Sequence, residues 1–230
     1  MGTVENHLIE LLPRKDRLRL LAVSEQIELE LSEILCEPGL AIRHVYFPIE
    51  ASISLMALID GSPGVEVGMV GREGMLGGQM ALGMVTASVH AVVQSPGAVR
   101  RIGVNAFRSE LATSPALQRG LHHYLYVRMA QMTTSAACLR FHLIGPRLAR
   151  WLLMSQDRAH SDSFRVTHEF LAAMLGVRRE GVTAAASALQ RKGLIEYRRG
   201  NLKVLNRAGL EAAACGCYAV EQQAYAALLC

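Results

Sequence analysis

Phe164-Arg165-Val166-Thr167-His168-Glu169-Phe170-Leu171-Ala172-Ala173-Met174-Leu175-Gly176-Val177 opens the stretch that decides the fold, which runs on to Leu205. Thr167 suits an N-cap, because its hydroxyl can accept from an otherwise unpaired N–H of a first helical turn. The spacing of Phe170, Leu171, Met174 and Leu175 predicts a helix with one apolar face. Gly176, just past the last apolar residue, suits a left-handed C-terminal position. After a tight turn a second helix is expected from about Arg178 to Arg191, with Val182, Ala185, Ala186 and Leu189 inward and Gly193 at its end. Leu194–Tyr197 reads as a strand, Arg198–Asn201 as a turn and Leu202–Leu205 as the returning strand, since Gly-Asn between apolar runs signals a hairpin. Helix, turn, helix and hairpin within about forty residues is the plan of a winged helix-turn-helix.

The charge agrees with that plan. Residues 140–210 hold 13 Lys and Arg against 5 Asp and Glu, a net of +8, whereas the rest of the chain holds 11 against 15, a net of −4. The whole-chain charge of +4 therefore conceals a basic segment joined to an acidic one. A concentrated positive face is what a binder of the phosphate backbone needs. Arg178, Arg179, Glu180 and Thr183 fall at the start of the second helix, the part that enters the major groove in this motif. There Arg can bond guanine O6 and N7, and Glu can accept from cytosine N4. Thr167 and His168 are placed for a phosphate. Lys192, Arg198, Arg199 and Lys203 are candidates for backbone contacts that position the protein without specifying sequence.

Upstream the pattern differs. At 230 residues, 51% hydrophobic and 19% charged, the composition is that of a globular protein of one or two domains. No apolar run approaches the ~18 residues of a membrane helix, and the polar, acidic start at Met1–Asn6 does not read as a secretory signal. Five scattered cysteines (36, 138, 215, 217 and 230) make no disulfide framework and fit reduced thiols in a cytoplasmic protein. Residues 5–22 suggest a short amphipathic helix and a turn. From Gln26 the apolar period switches to two, at Ile27, Leu29 and Leu31. Strands are expected at Glu33–Cys36, Ala41–Phe47, Ser52–Ile59, Val65–Val70, Ser88–Val93 and Ala98–Ile102, separated by Gly and Pro turns. Short strands at this spacing predict an antiparallel sandwich or roll.

From Pro115 the period is helical. Leu117, Leu121, Leu125, Met129, Met132, Ala136, Leu139 and Leu143 form an apolar stripe along a helix of about 40 Å. A helix so long calls for a partner surface, and a second copy of itself is the simplest; Leu121, Leu125, Met129, Met132 and Leu139 are the expected dimer residues, although part of the stripe could pack on the roll. Gly145-Pro146 is read as the break after this helix and as a hinge, with a further helix over Arg147–Asp157. Residues 208–230 are Ala-rich and read as helical, interrupted by Cys215-Gly216-Cys217.

With these residues in view, the sequence resembles the Crp/Fnr family of bacterial transcription regulators over nearly its whole length. The resemblance is most specific in Thr167–Leu189 with Arg179-Glu180, in Arg147-Leu148-Ala149-Arg150-Trp151-Leu152-Leu153, and in Val65-Glu66-Val67-Gly68-Met69-Val70-Gly71-Arg72-Glu73-Gly74. It implies a homodimer on a two-fold operator with half-sites one DNA turn apart, contact with RNA polymerase, and a small-molecule effector sensed by the roll. Arg179 and Glu180 correspond to the family's base readers; the next reader, often Arg, is here Ala184. The effector segment would be Gly77, Gly78, Gln79, Thr86 and Ser88, with Met132 and Thr133 on the long helix nearest a base. Members that bind a cyclic nucleotide carry an acid where Gly78 stands and Arg where Ala87 stands. A buried cyclic phosphate without that Arg loses its charge-assisted partner, so cAMP binding is expected to be absent or very weak. Arg100 and Arg101, nearby in sequence, leave room for a different anion.

No cofactor and no metal is expected. The iron–sulfur members of the family place Cys residues near the N-terminus, and none precedes Cys36. Cys215-Gly-Cys217 has one residue between its thiols, which suits neither a zinc knuckle nor a redox CxxC, and reads as a capping turn; Cys138 reads as core. His122-His123, as neighbours on a helix, do not form a chelate, and His44 is an isolated strand histidine. No phosphate loop, GxSxG or HExxH motif indicates an enzyme. The expectation is an α+β protein: a β-roll sensor with the cyclic-nucleotide-binding-like jelly-roll fold over 1–113, a dimerisation helix over 114–144 and a winged helix-turn-helix domain over 145–230. An effector-independent, constitutive or architectural DNA-binding protein is the alternative.

Overall fold

A computed structural model describes residues 5–60, 64–159 and 161–228. Met1–Val4, Gly61 and Cys230, on which parts of the sequence reading fell, lie outside the described residues. The chain divides into two compact units: the described residues of Met1–Leu55, Met69–Ala130 and Ala224–Cys230 form one, and those of Met56–Gly68 and Gln131–Gln223 the other. This division follows neither 113/114 nor 144/145. The hairpin end 56–68 goes with the second unit, and the tail of the last helix with the first.

The first unit begins with two helices, α1 (His7–Glu10) and α2 (Arg14–Ala22), where one helix and a turn were expected. Pro13, lacking an N–H, separates them and serves as the N-cap of α2. Asn6 is fully buried and holds α1 to the roll: its Oδ1 accepts from the Leu8 N–H at 3.0 Å and its Nδ2 donates to the carbonyls of Pro48 (2.9 Å) and Gly74 (2.8 Å). The strands are β1 (Glu25–Leu29), β2 (Ile34–Cys36), β3 (His44–Pro48), β4 (Ser52–Ala57), β5 (Val65–Val70), β6 (His90–Ser95) and β7 (Gly97–Gly103). They form sheets of order β1-β7-β3 and β2-β6-β4-β5. Every expected strand is present, with ends shifted by up to three residues. β1 stops at Leu29 rather than Leu31, and Ser32 turns the chain with φ +66°.

Helix α3 (Val104–Thr113) was not anticipated. Val104, Phe107 and Leu111, spaced three and four apart, are the signal that locates it. Phe107 is fully buried and meets Phe47 edge to face, ring centroids 6.1 Å apart. With Val45, Ile102, Leu117, Leu121 and Tyr124 these residues make the core of the first unit. Helix α4 (Pro115–Phe141) is continuous, as its stripe predicts. Leu121 is 1% exposed inside that core, so it packs on its own roll and is not a dimer residue. Leu125 is half-buried, whereas Met129, Met132 and Leu139 are exposed.

The break after α4 falls at His142-Leu143, earlier than expected. Helix α5 (Ile144–Ala159) already contains Gly145 and Pro146, because proline is tolerated in a first turn whose N–H groups have no helical partner. Beyond it come β8 (Ser163–Arg165), α6 (His168–Leu175), α7 (Arg179–Arg191), β9 (Ile195–Arg198), β10 (Asn201–Val204), α8 (Arg207–Ala213) and α9 (Cys217–Leu228). Leu148, Leu152 and Leu153 of α5 are fully buried, and α5 packs on α7 and α8. β8, read from sequence as a lead-in, pairs with β10 with Phe164 opposite Leu202, giving a sheet of order β8-β10-β9.

Candidate nucleic-acid interface

The helix-turn-helix forms as its residues predict. The Thr167 hydroxyl accepts from the Phe170 N–H at 3.0 Å, and Gly176 takes φ +60° at the end of α6. Arg178 is the N-cap of α7 in extended conformation, one residue outside the helix where it was expected. Val182, Ala185, Ala186 and Leu189 are buried. The opposite side presents Arg179, Glu180, Thr183, Ala184, Ser187 and Arg191, all exposed and lining one surface groove. Ser187 and Arg191 were missed from sequence; they follow Thr183 at steps of four, the same helical spacing that located the buried face.

In the wing, Arg198 pairs with Asn201 across the ladder, so the turn is Arg199-Gly200 alone. Both have positive φ, +52° and +82°. This is the type I′ geometry that matches strand twist, and it holds Arg199 at the tip. Lys192, Arg198, Arg199 and Lys203 are all exposed. Among the described residues, neither Arg179 nor Arg191, Arg198 or Arg199 forms an ion pair.

The net charge of this segment is less available than its sum suggests, because several cations act inside the unit. Arg147 is buried and donates to the Leu175 carbonyl at the end of α6. Arg150 pairs with Glu221 at 2.7 Å and donates to Ser135. Arg207 pairs with Asp157 (2.7 Å) and Glu211 (2.9 Å).

His168 has a different task from the phosphate contact expected of it. Its ring stacks on Tyr197 of β9, centroids 4.4 Å apart, and its Nδ1 lies 2.9 Å from the Thr183 hydroxyl. That hydroxyl donates to the Arg179 carbonyl at 3.1 Å, so Nδ1–H is the donor to Thr183 and Nε2 is the bare acceptor. Nε2 is buried without a partner and cannot donate to a phosphate in this state. The imidazole instead joins α6, α7 and the wing. Burial, then the nearby Arg179 charge, lower its pKa from the ordinary 6.5. The Tyr197 hydroxyl donates to the Val166 carbonyl at 3.0 Å, tying the wing to the strand before α6.

Within the same unit, the hairpin end 56–68 meets the motif. The Trp151 Nε1–H donates to Glu66 at 3.0 Å, Trp151 lies edge to face with Phe170, and Val65 sits against Gly176.

The first unit holds a cavity of about 500 Å³ lined by Cys36, Arg43, His44, Tyr46, Gly77 and Gln79, among others. Two of the expected effector residues, Gly77 and Gln79, are there. Gly78 instead faces Tyr124, where a Cβ would come within 3.4 Å of the ring. Thr86 and Ser88 are exposed and not part of the lining, and Met132 and Thr133 are exposed on α4. Arg100 is paired with Glu5 and Arg101 with Glu25, so neither is a free anion receptor. Arg43, not singled out from sequence, is the cation of the cavity wall.

The cysteines also depart from expectation. Cys138, His142, Cys215 and Cys217 place one donor atom each within 4.8 Å of one another. The two thiols of the Cys215-Gly216-Cys217 turn and the thiol read as core are thus one cluster, invisible in sequence because its halves lie more than seventy residues apart. Cys138 is held below the ordinary thiol range, first by its hydrogen bond with Cys215 and then by His142 and Arg150, against the effect of burial; the same bond pushes Cys215 up.

Residues 146–213 match the family model of the Crp-like helix-turn-helix domain. No curated protein matches the chain by sequence. Among solved structures, the chain is similar to a transcriptional regulator assigned to the Crp/Fnr family from Eubacterium rectale, with TM-score 0.70 and 16% identity over 91% of this chain and 99% of that one. It is similar to the c-di-GMP responsive global regulator CLP from Xanthomonas campestris (TM-score 0.67, 21% identity, 84% of this chain and 99% of that one). It is also similar to a Crp/Fnr-family transcriptional regulator from Thermus thermophilus (TM-score 0.68, 22% identity, 83% of this chain and 98% of that one). The chain therefore carries a Crp-like DNA-binding domain on the fold of the Crp/Fnr transcription regulators. No described helix is long and apolar enough to cross a membrane.

Proposed function

From a Crp-like helix-turn-helix on the Crp/Fnr fold, we propose that this protein is a sequence-specific transcription regulator that binds a two-fold operator as a homodimer. The observation that carries the reading is the division of α7 into two faces: Val182, Ala185, Ala186 and Leu189 inside, Arg179, Glu180, Thr183, Ser187 and Arg191 outside. Arg179 and Glu180 read base edges in the major groove. Arg198 and Arg199 of the wing, with Lys192 and Lys203, hold phosphates. Bound near a promoter, the dimer recruits or blocks RNA polymerase.

Dimerisation uses α4. Tyr126, Met129, Met132 and Leu139, with Leu143 just beyond the helix, recur at helical spacing and are 73%, 67%, 49%, 38% and 80% exposed in the single chain. An apolar stripe this continuous is stable in water when a second copy covers it.

The roll cavity is the effector site, and its ligand is not cAMP. Gly78 and Ala87 supply neither the acid nor the Arg that a cyclic nucleotide requires, and Arg43 is the charge on the cavity wall. That CLP, of the same fold, is c-di-GMP responsive supports a signal other than cAMP. A ligand that prefers one conformer shifts the equilibrium of the whole dimer. The Glu66–Trp151 and Val65–Gly176 contacts, together with the break between α4 and α5 at His142-Leu143, give that shift a route to α7.

Capture of genomic fragments by the purified dimer, with sequencing, tests the proposal. Enrichment of a two-fold motif with half-sites about one turn apart, absent with Arg179→Ala, is the expected result. Sequence-blind capture unchanged by the substitution overturns it in favour of an architectural role.

A further inference from the structure

The second unit contains a constellation that DNA recognition does not use. Cys138 lies in the last turn of α4, and His142 follows four residues later, so both project from one helical face. The His142 N–H donates to the Cys138 carbonyl at 3.1 Å, which fixes this spacing beyond the end of the helix. Cys215 and Cys217 flank the turn between α8 and α9. The Cys215 N–H donates to the Pro146 carbonyl, and the Tyr218 N–H to the Cys215 carbonyl, so the turn is pinned against the start of α5.

The donor geometry is specific. Cys138 Sγ and Cys215 Sγ are 3.6 Å apart, and Cys217 Sγ and His142 Nδ1 are 3.5 Å apart. A tetrahedral ion with bonds of about 2.3 Å to sulfur and 2.0–2.1 Å to nitrogen has edges of about 3.8 Å between sulfurs and about 3.6 Å between sulfur and nitrogen. These two pairs are close to those edges, and all four donor atoms lie within 4.8 Å of one another. The three cysteines are 1%, 7% and 9% exposed, whereas His142 is exposed and opens a path for an ion.

We propose that Cys138, His142, Cys215 and Cys217 form a tetrahedral site for a thiophilic divalent cation of the zinc class. Binding releases to solvent whatever protons the three thiols still carry and changes no oxidation state. Three thiolates, a neutral imidazole and a divalent ion leave one negative charge, and Arg150, 12% exposed and beside Cys138, offsets it. Three thiolates and one imidazole select zinc over the oxygen-seeking cations. The occupied site clamps the end of α4, the start of α5 and the α8–α9 turn to one another, around Gly145-Pro146.

Co²⁺ added to the full-length, reduced, chelator-treated protein reads the site directly. One equivalent per chain, with thiolate-to-metal charge transfer, strong tetrahedral visible bands and displacement by Zn²⁺, is the expected result. Cys138→Ser and His142→Ala lose the spectrum, while His142→Cys, which restores a fourth soft donor, keeps a tetrahedral one. Circular dichroism of each apo variant separates loss of ligand from loss of fold. Weakly coloured octahedral Co²⁺, with all described cysteines open to a thiol reagent in equimolar Zn²⁺, overturns the proposal, as does a Cys138–Cys215 disulfide in protein isolated with no metal. No DNA enters this measurement: a bound metal without an operator leaves the site standing and removes the regulator reading.

Discussion

The His168 imidazole donates from Nδ1 to the Thr183 hydroxyl at 2.9 Å, a bond between the first residue of α6 and the exposed side of α7. With the stack on Tyr197 it makes one side chain the junction of both helices and the wing. A group at such a junction makes the motif's geometry depend on its protonation.

The sign of that dependence follows from the lowered pKa. The unfolded chain binds the His168 proton more readily than the folded chain, so its contribution is complete above about pH 6.5 and is lost as pH falls through the folded-state value. Urea midpoints of the wild type should fall more between pH 7.5 and 5 than those of His168→Gln. Parallel decline in the two proteins would show that His168 contributes nothing to it.

Two residues of one apolar stripe should behave oppositely. Leu121→Ala opens a cavity in the core of the first unit and is expected to cost about 2–5 kcal/mol, a drop in Tm of several degrees. Met129→Glu, at an exposed position, should leave the Tm of the isolated chain nearly unchanged while shifting the sedimentation mass from two chains to one. A dimer that survives Met129→Glu and Met132→Glu together would remove α4 as the interface.

Arg150 and Glu221 form a pair at 2.7 Å with side chains 12% and 5% exposed. Glu221→Ala leaves a buried guanidinium without its carboxylate and should cost about 3–5 kcal/mol. Calorimetry in zinc-free buffer checks this; a loss below about 1 kcal/mol, the level of a surface pair, contradicts the packing described.

cAMP at millimolar concentration should give no saturable heat with the purified protein, since the acid and the Arg it needs are Gly78 and Ala87. Saturable binding by isothermal titration at micromolar Kd would reverse the assignment of the cavity.

These outcomes rest on features of unequal visibility in sequence. The helix-turn-helix was legible because Thr167, Gly176 and the Val182–Leu189 spacing act over one or two turns, and caps and periodicity are local physics. The roll strands were legible for the same reason. What was not legible depends on distance along the chain. Leu121 and Met129 share one stripe, and only packing against Phe107 and Tyr124 decides that one is core and the other surface. His168 looked like a phosphate ligand until Tyr197 and Thr183 were seen to enclose it. The thiol cluster joins residues at 138 and 215, and no window of sequence contains both.

The central claim, that α7 reads bases through Arg179, is tested most directly by affinity measured on the selected operator and on a set with each half-site base pair replaced in turn. Anisotropy titrations at one fixed salt concentration, for wild type and Arg179→Ala, give the comparison. The account predicts that the wild type loses about 1–3 kcal/mol at the base pair facing Arg179. The variant should lose discrimination at that pair alone while retaining its salt dependence. Uniform weakening across the whole set, with discrimination at every position intact, would mean that Arg179 touches only phosphate and that another side chain reads the operator.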